Sequence, residues 1–394
     1  MLTQRQLFLN HIAQTSDIPL GIEAERAEGC YIYDIHGKTY LDLIAGISVS
    51  NLGHCHPQVV EAVKNQLDKY MHLMVYGEYI QSPQVQFAKL LVDNLPESLN
   101  CVFFTNSGTE AVEGAMKLAK RYTGRYEMIS CYNAYHGSTQ GAMSIAGGEW
   151  LKDAFRPLLT GNKLIRFNNF EDIEQITDKT AAVFIEPIQG EAGALIPDNE
   201  YLEMLRKKCT ETGTLLIFDE IQTGGGRTGS LWAFQQWGIV PDVLLLGKSI
   251  GGGMPLAAFI ADKKIMHELS HNPVLGHITT FGGHPVCCAA GKAAFEVLIH
   301  SDLINETIKK EKLFREKLNH KNIKAVHGKG LLLAIELADF EQVQKVIRYC
   351  ITNGVITDWF LFNDHSVRIA PPLIITEGQI GFACKVILEA VDSL

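Results

Sequence analysis

The nine cysteines of this 394-residue chain form none of the spacings that bind zinc or build a disulfide framework. Their number is odd, no pair has CxxC spacing, and Cys287 and Cys288 are adjacent. His54, Cys55 and His56 have no further ligand cluster nearby in the sequence, so they favour a turn before a helix over a metal site. The sequence therefore predicts no metal centre, and we expect the reducing environment of the cytoplasm.

The chain also lacks an excess of positive charge and a long apolar run. Its formal net charge is -9, which argues against a sequence-independent grip on nucleic acid or on an acidic membrane. No apolar run approaches the roughly 18 residues of a membrane span, and the N-terminus has no basic segment followed by an apolar core. We therefore expect a protein that is neither exported nor inserted in a membrane.

Two short apolar runs, 215–218 and 243–246, each end abruptly in charged residues. Asp219 and Glu220 follow the first run, and Lys248 follows the second. Such runs are typical of strands buried on both faces of a parallel sheet, and ligands bind such sheets at the carboxyl ends of the strands. The pattern therefore predicts that an acid and an amine reach the same site.

These two residue types suit one kind of cofactor chemistry. A lysine at a strand end, followed by Ser249 and a glycine run, suits a Schiff base, because the amine must be reachable, partly desolvated and free to swing away. A nearby aspartate could hold a pyridinium nitrogen protonated, as pyridoxal phosphate (PLP) requires. The alternative is that Asp219 caps the next helix and Lys248 is a solvated cation. Either residue alone favours that alternative.

A second candidate feature joins a strand to a helix. The apolar run 101–105 leads into Ser107, Gly108 and Thr109, and the helix that follows ends at Gly124. Free backbone N–H groups, two hydroxyls and the positive end of the helix dipole are suited to a phosphate. A helix cap with nothing bound explains the same residues equally well.

Strands and helices alternate through the middle of the chain. We predict strands at 128–131 and from 181, a crossover helix at 201–211 and one further strand at 256–261. Tyr135 follows the first of these strands, where an aromatic ring could stack on a flat heteroaromatic ligand. This alternation predicts an α/β fold with a largely parallel central sheet.

The two ends of the chain differ from this middle part. Residues 1 to about 20 are typical of an amphipathic arm, and 29–42 predict a small hairpin. From Val286 the pattern indicates a long helix to about residue 320, a strand at 330–337 and a helix near 340–352. We therefore divide the chain into an N-terminal arm and small lobe that pack with the C-terminal domain, a large ligand-binding domain and a smaller α/β C-terminal domain. The boundaries are 1–50, 51–285 and 286–394.

Seven motifs, taken together, resemble the class III aminotransferases of PLP fold type I, the acetylornithine, ornithine and 4-aminobutyrate group. They follow that family's order and approximate spacing, and the resemblance spans nearly the whole chain, from Gly53 to Ile375. The motifs are SGTEA at 107–111, YHG at 135–137, EPIQGEAG at 186–193, DEIQTGGGRTG at 219–229, LLLGKSIGGGMP at 244–255, TTFGGHP at 279–285 and VRIAPPLII at 367–375.

The resemblance implies PLP as cofactor and a role for each matching residue. Lys248 would form the Schiff base and later carry the proton, and Asp219 would pair with the pyridine nitrogen. The other cofactor-binding residues would be Ser107, Gly108 and Thr109 at the phosphate, Tyr135 stacked on the ring, Gln222 near the ring hydroxyl, His136 and Glu186 beside the cofactor, and Thr280 from a neighbouring subunit. A site shared in this way implies a homodimer.

The resemblance also implies how substrates bind. Arg368 would bind the substrate α-carboxylate, and Glu191 would pair with that arginine when an ω-amine is the donor. The sequence departs from the family at Ser138, where the acetylornithine and 4-aminobutyrate members have an arginine that binds a distal carboxylate. Ile47 stands where ornithine aminotransferases have a carboxylate-binding tyrosine, which weakens an ornithine assignment.

The expected reaction moves an amino group from an amino acid or an ω-amine, acetylornithine-like by resemblance, to a 2-oxo acid such as 2-oxoglutarate or pyruvate. Two alternatives remain open. A PLP-dependent aminomutase or racemase of the same family would keep Lys248 and Asp219 without needing a separate acceptor. A catalytically silent scaffold would have no chemical reason to keep a buried lysine.

Overall fold

The computed structural model describes residues 2–394 and contains three β-sheets with helices packed around them. The strands are β1 Ala24–Glu28, β2 Tyr31–Asp34, β3 Thr39–Asp42, β4 Cys101–Thr105, β5 Glu127–Cys131, β6 Asn162–Ile165, β7 Thr180–Ile185, β8 Leu215–Asp219, β9 Val243–Leu246, β10 Ala257–Ala261, β11 Ala325–Lys329, β12 Leu332–Glu336, β13 Val355–Ile356, β14 Trp359–Phe360 and β15 Asn363–Ile369. The helices are α1 Gln4–His11, α2 Ala45–Ser48, α3 Pro57–Leu67, α4 Ser82–Val92, α5 Gly108–Thr123, α6 Gln140–Ile145, α7 Glu149–Lys152, α8 Tyr201–Thr212, α9 Lys263–Met266, α10 Pro285–Ile299, α11 Leu303–Lys317, α12 Phe340–Thr352 and α13 Glu377–Asp392.

The largest sheet has seven strands in the order β4-β10-β9-β8-β7-β5-β6. The pairs from β9 through β8, β7 and β5 to β6 are parallel, and only β10 runs against its neighbours. The predicted α/β fold with a mostly parallel sheet is therefore confirmed. Strand β6, which is short and lies at the edge of the sheet, was not predicted from the sequence.

Helices cover both faces of this sheet, which explains why its central strands are apolar throughout. Leu215 and Ile217 of β8 pack in one core with α5, while Leu216 and Phe218 pack in another core that includes α8 and α10. Successive side chains of a strand point to opposite faces, so a strand covered on both sides needs apolar residues at every position. This burial fixes the ends of β8 and β9 and the residues that follow them.

The two smaller sheets are built from the ends of the chain. The expected hairpin forms from β2 and β3, but β1 also pairs with β2, and the C-terminal strand β13 pairs in parallel with β3. A second four-stranded sheet has the order β11-β12-β15-β14. The N-terminal sheet therefore recruits a strand from more than 300 residues away, which no local pattern could indicate.

The long helix predicted from Val286 to about residue 320 is wrong. The structure has two helices there, α10 and α11, separated by His300 to Asp302. Phe295 of α10 belongs to the core of the large sheet, whereas Phe314 of α11 belongs to the core of the C-terminal sheet. The break lets the chain pass from one hydrophobic core to the other.

Other structural features bear on the expectations about metals and membranes. All nine cysteines lie in the described part of the chain and are free. His54 Nε2 lies 2.9 Å from an oxygen of Asp42, and His56 precedes α3. From residue 2 to residue 394, no group of three or more potential ligands is placed to hold a metal ion. Over the same residues, no helix has both the length and the apolar character needed to span a bilayer.

Candidate active site

Asp219 and Lys248 are brought together by the pairing of β8 with β9. The two strands are parallel neighbours, and Asp219 lies opposite Leu245. Lys248 follows through Gly247 and begins a short 3₁₀ helix that ends at Gly251. Lys248 has a positive φ of 49°, which is uncommon for a residue with a side chain and recurs at functional sites.

Both residues line one cavity of about 160 Å³ at the carboxyl ends of the strands. The position agrees with the general rule for ligand sites in α/β sheets. The residues that line the cavity are Gly108, Thr109, Tyr135, His136, Gly137, Glu186, Glu191, Asp219, Ile221, Gln222 and Lys248.

The environment of Lys248 lowers the pKa of its amine. Burial lowers the pKa of Lys248 because the charged form loses its hydration, and the negative charges of Glu191 and Asp219 only partly oppose this effect. A lysine with a lowered pKa exposes its lone pair more often at neutral pH and is therefore a better nucleophile and base.

Asp219 is held by two hydrogen bonds that leave it facing the cavity. One oxygen accepts from the backbone N–H of Ile221 at 3.1 Å, and the other lies 2.8 Å from His136 Nδ1. Burial alone would lower the pKa of His136, but the hydrogen bond and the charge of Asp219 raise it above its ordinary value. His136 therefore stabilises the negative charge of Asp219 and fixes its orientation.

The start of α5 forms a loop suited to a phosphate. Ser107 is the N-cap of α5, and its hydroxyl accepts from the Glu110 N–H at 3.4 Å. Gly137 contacts this loop with a positive φ of 130°, and a Cβ there would lie 2.3 Å from Thr109 Oγ1. Only glycine permits both this backbone conformation and this close approach.

Thr139, which was not predicted from the sequence, also contacts the loop at the start of α5. Its Oγ1 lies 2.7 Å from Thr109 Oγ1 and donates to Glu113 at 2.7 Å. The contact joins two segments that are distant in sequence, and an isolated threonine gives no pattern that could have indicated it. Thr139 therefore helps to orient the hydroxyl of Thr109.

Glu186 organises the loops on the Tyr135 side of the cavity. Its two oxygens accept from the backbone N–H groups of Tyr135 at 3.3 Å and of Gly190 at 2.8 Å. Burial raises the pKa of Glu186 to about 7. The positive charge of His136 opposes this shift, and the negative charge of Asp219 adds to it. The ring of Tyr135 is 37% exposed and borders the cavity.

Glu191 connects the cavity to Arg368, which is only 2% exposed. Both carboxylate oxygens of Glu191 accept from the guanidinium at 2.8 Å, and Gln222 Nε2 donates to one of them at 3.3 Å. Burial would raise the pKa of Glu191, but the charge and hydrogen bonds of Arg368 lower it to about 2. The two side chains therefore form a strong charged pair.

Asp358, which was not predicted from the sequence, is a further partner of Arg368. Its Oδ1 accepts from Arg368 Nε at 2.8 Å. Asp358 lies just before β14, a strand of two residues that was not predicted. An acidic residue ten positions before an arginine gives no signal of contact unless the intervening hairpin is known.

Five predicted site residues are not among the described residues that line the cavity. Ser107 is the N-cap of α5, and Arg368 pairs with the lining residue Glu191. The other three are Ser138, Thr280 and Ile47. Ser138 and Thr280 are exposed, and Ile47 is partly buried. Ile47 has φ 62° and ψ 58°, the left-handed conformation that is strained for a β-branched side chain. It belongs to a turn in which all four residues of α2 have positive φ.

The cavity has features that fit PLP. It offers an amine of lowered pKa, a carboxylate oriented toward the cavity and a helix start with free N–H groups. His136 Nε2 is buried without a hydrogen-bond partner within residues 2–394, a polar atom still available to a bound group. PLP acts as an electron sink for a bond broken next to the substrate nitrogen. Together the fold and this cavity define a PLP enzyme of fold type I.

Comparison with known proteins agrees with this class. The sequence model for Aminotransferase class-III matches residues 12–391. The acetylornithine aminotransferase of Methanocaldococcus jannaschii is 41% identical over 93% of this chain and 92% of its own length. The [LysW]-aminoadipate semialdehyde/glutamate semialdehyde transaminase of Sulfolobus acidocaldarius is 35% identical over 94% of this chain and 95% of its own length.

Solved structures show the same fold. The ornithine aminotransferase of Toxoplasma gondii has a TM-score of 0.92 and 29% identity, and the alignment covers 100% of this chain and 96% of that one. A transaminase from the marine bacterium Virgibacillus has a TM-score of 0.92 and 26% identity, covering 98% and 97%.

The chain belongs to the class III aminotransferases. It is a PLP-dependent transaminase whose substrates are a small-molecule amino donor and a 2-oxo acid. The relatives are aminotransferases, which favours transamination over the isomerase and silent-scaffold alternatives.

Proposed function

We propose that Lys248 binds PLP covalently and then transfers a proton to and from the substrate carbon. Its desolvated amine, which lines the cavity, and its position just after the end of β9 support this role. Asp219 is proposed to pair with the pyridine nitrogen, since its carboxylate is fixed by His136 and faces the cavity. The neighbouring ends of β8 and β9 are the observation that carries this proposal.

We propose the remaining cofactor contacts from the positions of the residues around the cavity. Ser107, Gly108 and Thr109 would hold the phosphate through hydroxyls and N–H groups at the start of α5. Tyr135 would stack on the ring, Gln222 would lie near the ring hydroxyl, and Glu186 would hold the Tyr135 loop in place.

For the substrates, we propose that Glu191 and Arg368 alternate between two arrangements. The bidentate pair neutralises Arg368, so an ω-amine without a nearby carboxylate can enter while the pair is closed. A 2-oxo acid would displace Glu191 and form the same bidentate contact through its α-carboxylate. One site could then accept both an ω-amine donor and a 2-oxo acid.

The donor class follows from the relatives as well as the site. Several are acetylornithine aminotransferases, at 35–41% identity, and we propose an ω-amine of an acylated basic amino acid as the donor. Ser138 replaces the arginine expected to bind a second carboxylate, and a serine cannot form a bidentate ion pair. We therefore propose weak selection for a second carboxylate on the acceptor.

This proposal predicts similar efficiency with pyruvate and 2-oxoglutarate. Ser138→Arg should shift the ratio of kcat/KM toward 2-oxoglutarate by about ten-fold or more, because a new charge-assisted hydrogen bond is worth roughly 1.5–3 kcal/mol. The measurement is steady-state kinetics with both acceptors and one ω-amine donor, with Ser138→Ala as control. A wild-type preference for 2-oxoglutarate that Ser138→Arg leaves unchanged would contradict the proposal.

We also propose that the enzyme is a homodimer. Two neighbouring segments expose large apolar side chains, including Met71 and Ile80 of one and Val274 and Phe281 of the other. Such patches mark interfaces, and Thr280 lies exposed within the second segment. Sedimentation should give twice the chain mass of 43.7 kDa, and a fully active monomer would contradict an active site that includes the neighbour's Thr280.

We also propose a division into domains and a location in the cell. The large sheet has its own cores, whereas Leu41 and Leu43 of the N-terminal lobe share a core with the C-terminal sheet. This arrangement supports an N-terminal lobe at 1–50 that packs with a small domain at 286–394, and a large domain at 51–285. The nine free cysteines suit a reducing cytoplasm. Limited proteolysis would test the boundaries, and cell fractionation would test the location.

A further inference from the structure

Arg368 has two carboxylates around a single positive charge. Glu191 binds its Nη1 and Nη2, and Asp358 binds its Nε, each at 2.8 Å. The side chain of Arg368 is 3% exposed, against 11% for Glu191 and 23% for Asp358. The single positive charge of Arg368 is therefore paired with two carboxylates, one more than is needed to neutralise it.

The two carboxylates contact different edges of the guanidinium. Glu191 occupies the edge formed by Nη1 and Nη2 and lines the cavity, while Asp358 occupies Nε and is not among the lining residues. The carbonyl of Trp359 accepts from Nη2 at 3.0 Å, and the ring of Phe360 lies 4.4 Å from the guanidinium carbon. These three contacts do not involve Glu191.

Withdrawal of Glu191 would therefore leave Arg368 fixed. The Nε contact, the Trp359 carbonyl and the Phe360 ring would hold the guanidinium plane, and the Nη1 and Nη2 edge would face the cavity. The backbone reinforces this arrangement, since Arg368 N–H donates to the carbonyl of Asp358 at 2.8 Å. Without such contacts, a long arginine side chain would follow the departing glutamate or adopt other rotamers.

We propose that Asp358 is a positioning residue that keeps Arg368 in place for the substrate α-carboxylate when Glu191 withdraws. The charge count supports this role. With Glu191 away, Arg368 and Asp358 form a neutral pair. A substrate carboxylate then restores the same charges that the closed arrangement has. When the substrate carboxylate takes the place of Glu191, the net charge around Arg368 and Asp358 is therefore the same before and after the exchange.

This inference rests on the proposed function, since it needs Arg368 to bind the α-carboxylate. Asp358→Ala should raise KM for α-carboxylate substrates, such as a 2-oxo acid or an α-amino acid, by about ten-fold or more. The half-reaction with a simple ω-amine that has no carboxylate should change less than about two-fold, because Arg368 does not contact that donor. Asp358→Asn keeps an acceptor for Nε but loses the charge, so it should recover only part of the affinity.

Two further variants separate this inference from the proposed function. Arg368→Ala should raise KM for the same substrates at least as much, and no rise in that variant would overturn the proposed function itself. Glu336→Gln removes an acid of the same small sheet that pairs with His327 at 2.7 Å, and it should leave both half-reactions unchanged.

Stopped-flow measurements of the cofactor absorbance monitor the two half-reactions. Thermal unfolding shows whether each variant is folded. If Arg368→Ala raises KM but Asp358→Ala does not, the inference is wrong. It is also wrong if Asp358→Ala slows the ω-amine half-reaction equally. If Asp358→Ala fails to fold, Asp358→Asn must still show a larger KM change for α-carboxylate substrates than for the simple amine, and equal changes would overturn the inference.

Discussion

Replacement of Lys248 by alanine is expected to reduce transamination by at least about 10²–10⁴-fold, the contribution typical of a positioned general acid or base. Lys248 is the only lysine among the described residues that line the cavity. The variant therefore loses both the amine that is proposed to bond to the cofactor and the amine that is proposed to carry the proton. Rates are measured in both half-reactions with PLP in excess. An added small primary amine, such as methylamine, should recover part of the proton transfer.

A matched control is available at Lys310. This lysine is also buried, but it contacts Glu306 and the carbonyl of Leu373 and lies outside the cavity. Lys310→Met should lower thermal stability, because it leaves that carbonyl without its partner, and it should keep the turnover of the folded enzyme. Wild-type turnover by Lys248→Ala would refute the proposed role of Lys248.

The second large effect is expected for Asp219→Asn. Asparagine has nearly the same shape as aspartate but no charge, so it cannot keep a pyridine nitrogen protonated. Asp219 and the protonated nitrogen would form a buried charged pair, and the loss of one member of such a pair costs about 3–5 kcal/mol. We expect kcat to fall by about 10²-fold or more while PLP still binds. Stopped-flow rates and PLP titration by fluorescence would measure the two effects separately.

Glu220 provides the control for Asp219, because it is the next residue and is equally buried. Its oxygens accept from the N–H groups of Ala233 and Phe234 at 2.6 and 2.7 Å, and it does not line the cavity. Glu220→Gln should affect stability more than kcat. If the two variants reduced kcat equally, the specific pairing of Asp219 with the cofactor would be disproved.

The sequence was informative where burial imposes a local pattern. The apolar runs before Asp219 and Lys248 predicted two strands of one parallel sheet, and the structure has them as the neighbours β8 and β9. The start of α5 after Ser107 was equally clear, because a small polar residue before an amphipathic helix is a local signal. Both features depend on residues that are close in sequence.

Features that depend on distant contacts were not predictable. The contact of Thr139 with Thr109 and that of Asp358 with Arg368 join residues whose spacing has no helical or strand period. The break between α10 and α11 depends on two separate hydrophobic cores, which the composition of the segment does not indicate. Ile47 was placed by family resemblance, and its left-handed backbone could not be expected for a β-branched residue.

Lys248 is the residue that we propose to be bonded to PLP. Reduction of the PLP-loaded enzyme with sodium borohydride fixes the cofactor to whichever amine it is bonded to, and peptide mass spectrometry then locates it. The prediction is a single phosphopyridoxyl-modified peptide that contains Lys248. Modification of a different lysine, or none in an active preparation, would contradict the account.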